Sequence, residues 1–126
     1  MIQSQRIRVR GVPYPQTKAT GNVEGRKDWT EAIVKATQNL RKVNGPVLVR
    51  VTFRLSREKF HEANPYGTDI DNLLKRFLDA LSMTILSEAP GKDACIVALE
   101  AAKVLVKNPS ESGVDGEVIE LAEDKK

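Results

Sequence analysis

Residues 68–81 constrain the fold more than any other part of the chain, because an extended segment meets the start of a helix there. From Leu73 onward, apolar residues recur at helical spacing, which predicts an amphipathic helix over about residues 71–81. Asp69 and Asp71 stand two residues apart just before this helix. Side chains at that spacing share a face only in extended backbone. We therefore expect the helix to begin at Asp71 or the residue after it, with Asp69 ending an extended approach.

Two other segments alternate strictly between apolar and polar residues, which predicts half-buried strands. These are residues 4–10, with Ile7 and Val9 inward, and residues 47–55, with the odd-numbered residues inward. The outward positions of both strands are rich in arginine, namely Arg6, Arg8, Arg10, Arg50 and Arg54. The sequence therefore predicts two strands whose outer faces are basic.

The remaining elements follow from capping and composition. Asp28 opens a capping-box-like start and an apolar stripe follows, which predicts a helix over residues 28–43 with Trp29 as a core anchor. Residues 16–27 are polar and predict a loop.

Residues 94–107 contain enough alanine for a helix, but they show no single helical stripe and are rich in branched side chains, which favours a strand. A final strand over residues 116–121 is expected to form a hairpin with it.

The predicted order is strand, helix, strand, helix, strand, strand. This order indicates an α+β domain, with two helices packed on one face of a mixed sheet. A chain of 126 residues can bury a sufficient core as one domain, so residues 1–126 are expected to form a single unit with a frayed tail at 122–126.

Composition and charge limit the environment and the partners. No apolar run approaches the roughly 20 residues that span a bilayer, so no membrane association is expected. The single Cys95 cannot form an internal disulfide, and a reducing cytoplasm is the expected location. Residues 1–60 carry a net charge of +9, whereas residues 61–109 carry −2 and residues 110–126 carry −4. A basic half beside a carboxylate cluster suits a protein that holds a polyanion and places metal ions on it.

Three aspartates, Asp69, Asp71 and Asp93, would converge if Asp93 began a strand next to the extended approach. Oxygen ligands without neighbouring histidine or cysteine favour Mg²⁺ or Mn²⁺, and Mg²⁺ usually works on phosphates. Lys75 would then contact the scissile phosphate or the leaving-group oxyanion. An Asp-x-Asp-Asn sequence before a helix can equally serve capping and turn formation.

The run Asp69-Ile70-Asp71-Asn72-Leu73-Leu74-Lys75, with Asp79-Ala80-Leu81 and a later Asp93, resembles the signature of the RusA family of Holliday junction resolvases. The resemblance implies that Asp69, Asp71 and Asp93 are catalytic metal ligands, that Lys75 is essential, and that the protein is a homodimer. It also implies Mg²⁺- or Mn²⁺-dependent, paired symmetric nicks in four-way junction DNA. Candidate DNA contacts are the basic residues Lys18, Arg6, Arg8, Arg50, Arg54 and Arg76.

The chain departs from the family pattern at three places. Lys92 stands where a second aspartate is common, Thr68 stands where a basic residue is common, and the segment before Asp93 is longer than usual. Two alternatives of other classes remain open at this point. One is a non-catalytic nucleic-acid-binding module of the same fold, and the other is a metal-dependent phosphatase or nucleotidyl enzyme. Metal binding through Asp69 and Asp71 distinguishes the enzymes from the binding module.

Overall fold

The structure, a computed structural model, describes residues 3–13, 23–56 and 69–121. Its elements are strand β1 (Gln3–Arg10), helix α1 (Val23–Thr37), strand β2 (Val47–Ser56), helix α2 (Ile70–Ser82), strand β3 (Ile96–Val106) and strand β4 (Gly113–Glu120). Short 3₁₀ turns at Lys92–Cys95 and Pro109–Glu111 precede the last two strands. This order confirms the predicted α+β fold. Within the described ranges, no helix has the length and apolar content needed to cross a bilayer.

The four strands form one mixed sheet in the order β1-β4-β2-β3. Strand β4 runs antiparallel to both β1 and β2, while β3 runs parallel to β2 at one edge. The predicted hairpin between the last two strands is therefore wrong. The central place of β4 suits its acids, because Glu117 lies opposite Arg6 on one side and Arg50 on the other. Opposite charges directly across a ladder stabilise the pairing.

Helix α1 differs from the prediction at both ends, since it begins before Asp28 and ends six residues before Val43. Its last turn is closed by Thr37, whose hydroxyl donates to the carbonyl of Ile33 at 2.8 Å and lies 2.7 Å from the hydroxyl of Thr84. The chain then turns, and the amide of Val43 donates to the carbonyl of Ile85. The apolar residues after the helix are thus buried by a tertiary contact, although their spacing resembles a longer helix.

The core lies between the helices and one face of the sheet. The inward residues of β1 and β2 are buried as predicted, and α2 contributes Leu73, Phe77, Ala80 and Leu81. Trp29 is the expected core anchor, with 3% of its surface exposed. Cys95 is a buried free thiol, and burial raises its pKa. The opposite face of the sheet carries Arg6, Arg8 and Arg50 with their acidic neighbours. Strand β3 is mostly exposed, which makes it different from the other three strands.

Candidate active site

Asp69 and Asp71 lie together at the start of α2. The helix begins at Ile70, one residue before the earliest predicted start, with Asp69 at the N-cap in extended backbone (φ −61°, ψ 137°) and Asp71 in the first turn. Both residues are exposed. The Asp69 side chain makes no capping hydrogen bond, and its carbonyl accepts the first helical bond from Leu73 at 3.2 Å. The capping role considered above therefore does not occupy this carboxylate.

The packing of α2 determines where these acids point. The helix buries one stripe against the sheet, and the ring of Phe77 meets the ring of Phe53 edge-on at a centroid distance of 6.1 Å. Asp71 and Lys75 lie one turn apart on the exposed side. An acid in the first turn is favoured by the positive end of the helix dipole. The exposed start of α2 thus carries two carboxylates, and Lys75 follows Asp71 one turn later on the same side of the helix.

Asp93 lies far from this pair within one chain. It is exposed in the 3₁₀ turn before β3, and it lines a small surface groove of about 300 Å³ with Leu78 and the first residues of β3. Because β2 and β3 are parallel, β3 begins beside the start of β2, whereas α2 begins after the end of β2. The 13 residues of α2 span about 20 Å at about 1.5 Å per residue. Asp93 is therefore near the far end of the helix that Asp69 begins.

The expected convergence of the three aspartates is accordingly not seen within a single chain. Among the described residues, no group of three histidine, cysteine, aspartate or glutamate side chains is close enough to hold a metal ion. The three aspartates would converge only if β3, which follows Asp93, began next to the segment that leads to Asp69. Because β3 runs parallel to β2, it begins at the opposite end of the sheet from Asp69.

The strand arginines lie on the other side of the sheet from α2. Arg6, Arg8 and Arg50 line a shallow groove of about 490 Å³ together with Thr52, Asp115 and Glu117. The Nε of Arg50 donates to Glu100 at 2.7 Å, which raises the pKa of this guanidinium. Arg8 lies 3.6 Å from Asp115. The predicted basic face is therefore a ladder of alternating charges.

Three acids that the sequence pattern did not mark as site residues complete this charge ladder. Glu100, Asp115 and Glu117 were not among the predicted site residues, although Asp115 and Glu117 alternate with apolar or small residues along β4. That alternation was a signal that they share a face. Which arginines they would meet depended on the strand order, which the sequence did not reveal.

Arg54 occupies a buried position, contrary to the expectation of an exposed outer face. Only 11% of its side chain is exposed, and it donates to the carbonyls of Glu111 at 2.9 Å and Val9 at 3.3 Å. Its Nε also lies 3.2 Å from Asp115. A phosphate could be reached only by breaking these contacts. Arg54 thus holds the turn before β4 against β1 and β2.

The two remaining candidate DNA contacts differ in position. Arg76 is half-buried on α2, and its Nη1 donates to the hydroxyl of Thr30 on α1 at 3.1 Å. This contact joins the two helices. Lys18 lies outside the described residues.

The Asp69 carboxylate makes no capping bond, and Oδ1 of Asp71 accepts the amide of Asn72 at 3.0 Å. Exposed carboxylates of this kind, with a lysine one turn later on a basic domain, suit chemistry on a phosphate group. The family model of Endodeoxyribonuclease RusA matches residues 3–112, a span that includes Asp69, Asp71, Lys75 and Asp93. The chain belongs to this family of endodeoxyribonucleases. A search of the curated proteins finds no match.

Proposed function

We propose that the protein is a Holliday junction resolvase, a homodimer that makes paired symmetric nicks in four-way DNA junctions. The observation that carries the proposal is the exposed pair Asp69 and Asp71 at the start of α2, with the Asp69 carboxylate free of any capping bond and Lys75 one turn further on. Membership of the endodeoxyribonuclease family supports the same conclusion.

Asp69, Asp71 and Asp93 are the proposed ligands of a Mg²⁺ or Mn²⁺ ion. Their donor set fits such an ion, because it consists only of exposed carboxylates. When bound, the ion supplies an activated water and neutralises charge on the phosphate. Lys75 lies on the same side of α2 as Asp71, one turn further on, and its proposed role is to contact the scissile phosphate or the departing oxyanion.

Because Asp93 lies far from the other two acids in one chain, the proposed site takes Asp93 from a second copy of the chain. In one chain the acids lie near opposite ends of α2, which is too far for a shared ion with ligand distances of about 2.1 Å. A two-fold homodimer can bring Asp93 of one copy to the Asp69 and Asp71 of the other, and it creates two equivalent sites. Two sites related by a two-fold axis also match the two cuts that resolution of a junction requires.

Phosphate contacts from exposed basic residues are proposed to dominate binding of the junction. Arg6, Arg8 and Arg50 remain candidates because their side chains reach solvent, whereas Arg54 does not. They lie on the sheet face opposite to α2, so they would contact a junction arm other than the one being cut. This division suits a substrate with four arms.

The activity is tested by incubating the protein with a four-way junction and with linear duplex of the same sequence, in the presence and absence of Mg²⁺. The expected result is paired nicking of the junction that depends on Mg²⁺, with little cutting of the duplex. Binding of the junction without cutting under any metal condition would instead favour the non-catalytic binding module.

The shared site is tested by mixing two inactive variants, Asp71→Asn and Asp93→Asn. In a mixed dimer one site receives both substitutions and the other is intact, so nicking should reappear. Half of randomly mixed dimers are mixed, each with one intact site of two, so at most about a quarter of the wild-type nicking is expected.

A matched control combines Asp71→Asn with Lys75→Gln, two residues of the same helix. Each site of that mixed dimer carries one substitution, so nicking should not return. Equal absence of rescue in both mixtures would show that the site does not combine acids from two chains.

A further inference from the structure

The two edges of the sheet differ strongly in chemistry. Strand β1, at one edge, exposes Arg6, Arg8 and Arg10 on one face and buries the intervening Ile7 and Val9 on the other. Strand β3, at the other edge, is 11 residues long and exposes the apolar residues Val97 (62%), Leu99 (42%), Val104 (41%) and Leu105 (38%). Charged edges discourage further strand pairing, whereas long apolar edges invite it.

Strand β3 is also incompletely used within its own chain. It pairs with β2 along one side, and among the described residues no strand pairs with its other side. Its register with β2 places Leu99 and Leu105 on the face that holds the core, beside Val49 and Leu55. Those two β2 residues are fully buried, but their β3 neighbours are not. The core-side surface of the sheet is therefore left open at this edge.

We propose that two copies of the chain join edge to edge through β3, antiparallel about a two-fold axis, so that their sheets form one eight-stranded sheet. This inference rests on the proposed homodimer and specifies its interface. The two-fold axis is perpendicular to the sheet, so both copies keep their helices on the same side. The backbone groups along the free side of β3 then gain hydrogen-bond partners.

The faces of the strand limit the possible registers. Glu100 shares a face with Arg50, to which it is hydrogen-bonded, whereas Leu99 lies on the core side. Residues opposite each other in an antiparallel pair point to the same face. The two-fold axis must therefore lie between the two copies of one residue, so that this residue stands opposite its own copy. The three central choices are Glu100, Ala101 and Ala102.

Ala102 is the choice that the side chains favour. An axis at Glu100 would place this acid opposite its own copy, which is repulsive. An axis at Ala101 would place Leu99 opposite the partner's Lys103. An axis at Ala102 places Leu99 opposite the partner's Leu105 on the core side, twice in the dimer. Exposed alanine at the centre leaves room for close approach of the strands.

The same arrangement serves the divided active site. Antiparallel pairing brings the start of β3, with Asp93 just before it, beside the end of the partner's β3. In the partner, the end of β3 lies beside the end of β2, because these strands are parallel. The partner's α2 follows its β2 and begins next to Asp69. Edge pairing therefore brings the separated acids to the same end of the joined sheet. The apolar edge and the position of Asp93 lead independently to the same interface.

Cross-linking tests the interface and its register in a Cys95→Ser background, which removes the native thiol. Cysteine at Ala102 should face its own copy at a Cα separation of about 4.5–5.5 Å, within the range of a disulfide. Mild oxidation should then give a covalent dimer. Ser4→Cys, on exposed β1, is the matched control and should remain monomeric on a non-reducing gel.

A charge test measures the same contact without a cross-link. Ala102→Glu places two carboxylates opposite each other across the interface and should weaken self-association about tenfold by sedimentation, while Ala102→Gln, of the same size, should change it little. Circular dichroism should show the same fold for both, because Ala102 is exposed.

A dimer that neither cross-links through position 102 nor responds to Ala102→Glu would overturn the β3 interface and leave the shared site standing. A protein that sediments as a monomer would overturn both.

Discussion

The ring of Phe77 on α2 stands edge-on to the ring of Phe53 on β2, with centroids 6.1 Å apart and planes at 85°. Both side chains are fully buried. Edge-to-face pairs contribute beyond the area that they bury. Because Asp71 lies six residues before Phe77 on the same helix, this contact holds the position of the acidic pair relative to the sheet.

Replacing Phe77 with alanine should therefore lower stability and disturb the site together. We expect a loss of about 3–5 kcal/mol in the free energy of unfolding, measured with urea. Phe77→Leu should cost less because it fills more of the space. Met83→Ala is the control, since 62% of Met83 is exposed and its loss should change stability by less than about 0.5 kcal/mol. Similar values for Phe77→Ala and Met83→Ala would contradict the packing argument.

Gly113, at the start of β4, should tolerate no side chain. Its φ is +155°, and an added Cβ would collide with the carbonyl oxygen of Val9 and lie 2.7 Å from Nη2 of Arg54. Gly113→Ala should cost more than about 2 kcal/mol in thermal or urea unfolding. Gly45 offers a matched control, because an added Cβ there meets nothing within 4 Å. Gly45→Ala should stay within about 1 kcal/mol of wild type. Equal effects at the two positions would refute the steric explanation.

Arg54 should act on stability, in contrast to Arg50. Arg54→Met removes two hydrogen bonds to carbonyls from a buried position, which should cost about 2–4 kcal/mol. The Arg50 side chain is 55% exposed, so Arg50→Met should cost clearly less than Arg54→Met despite the ion pairs of Arg50 with Glu100 and Glu117. The free energy of unfolding of both variants, measured with urea, shows which arginine contributes more to stability. A larger loss for Arg50→Met would mean that the surface ladder, and not the buried contact, stabilises the sheet.

Asp71→Asn should abolish cleavage and leave junction binding intact or slightly tighter. The substitution removes a proposed metal ligand, and the loss of a negative charge does not weaken attraction to DNA. Because Asp71 is exposed in the first turn of α2, its replacement should cost only about 0.3–1 kcal/mol of stability. Cleavage and gel-shift assays on the same preparation separate the two effects. Cutting at the wild-type rate in Mg²⁺ would exclude Asp71 as a ligand.

Junction affinity should fall steeply with salt, because each neutralised phosphate releases counterion. Replacing both Arg6 and Arg8 with glutamine should weaken binding and reduce the slope of log affinity against log salt by about 2. Lys35→Gln, an exposed residue near the end of α1, is the single-charge control and should leave the slope unchanged. An unchanged slope for the Arg6 and Arg8 double variant would remove the outer sheet face from the DNA-binding surface.

Local periodicity was sufficient for β1, β2 and α2. The alternation of β1 and β2 and the apolar stripe of α2 predicted which side chains are buried, because a strand or helix presents its faces at a spacing fixed by its own backbone. The motif from Asp69 to Lys75 was recognisable for the same reason, since all its members lie on one short segment. The fold class followed from the order of these elements.

The relations between distant segments were decided only by the tertiary structure. The central place of β4, the early end of α1, the burial of Arg54 and the separation of Asp93 from Asp69 all depend on which strands become neighbours. Local spacing carries no record of that choice, because it is made by contacts between residues far apart in the chain. Asp93 shows this most clearly: its chemistry was readable from the sequence, but its position followed from the parallel pairing of β2 and β3.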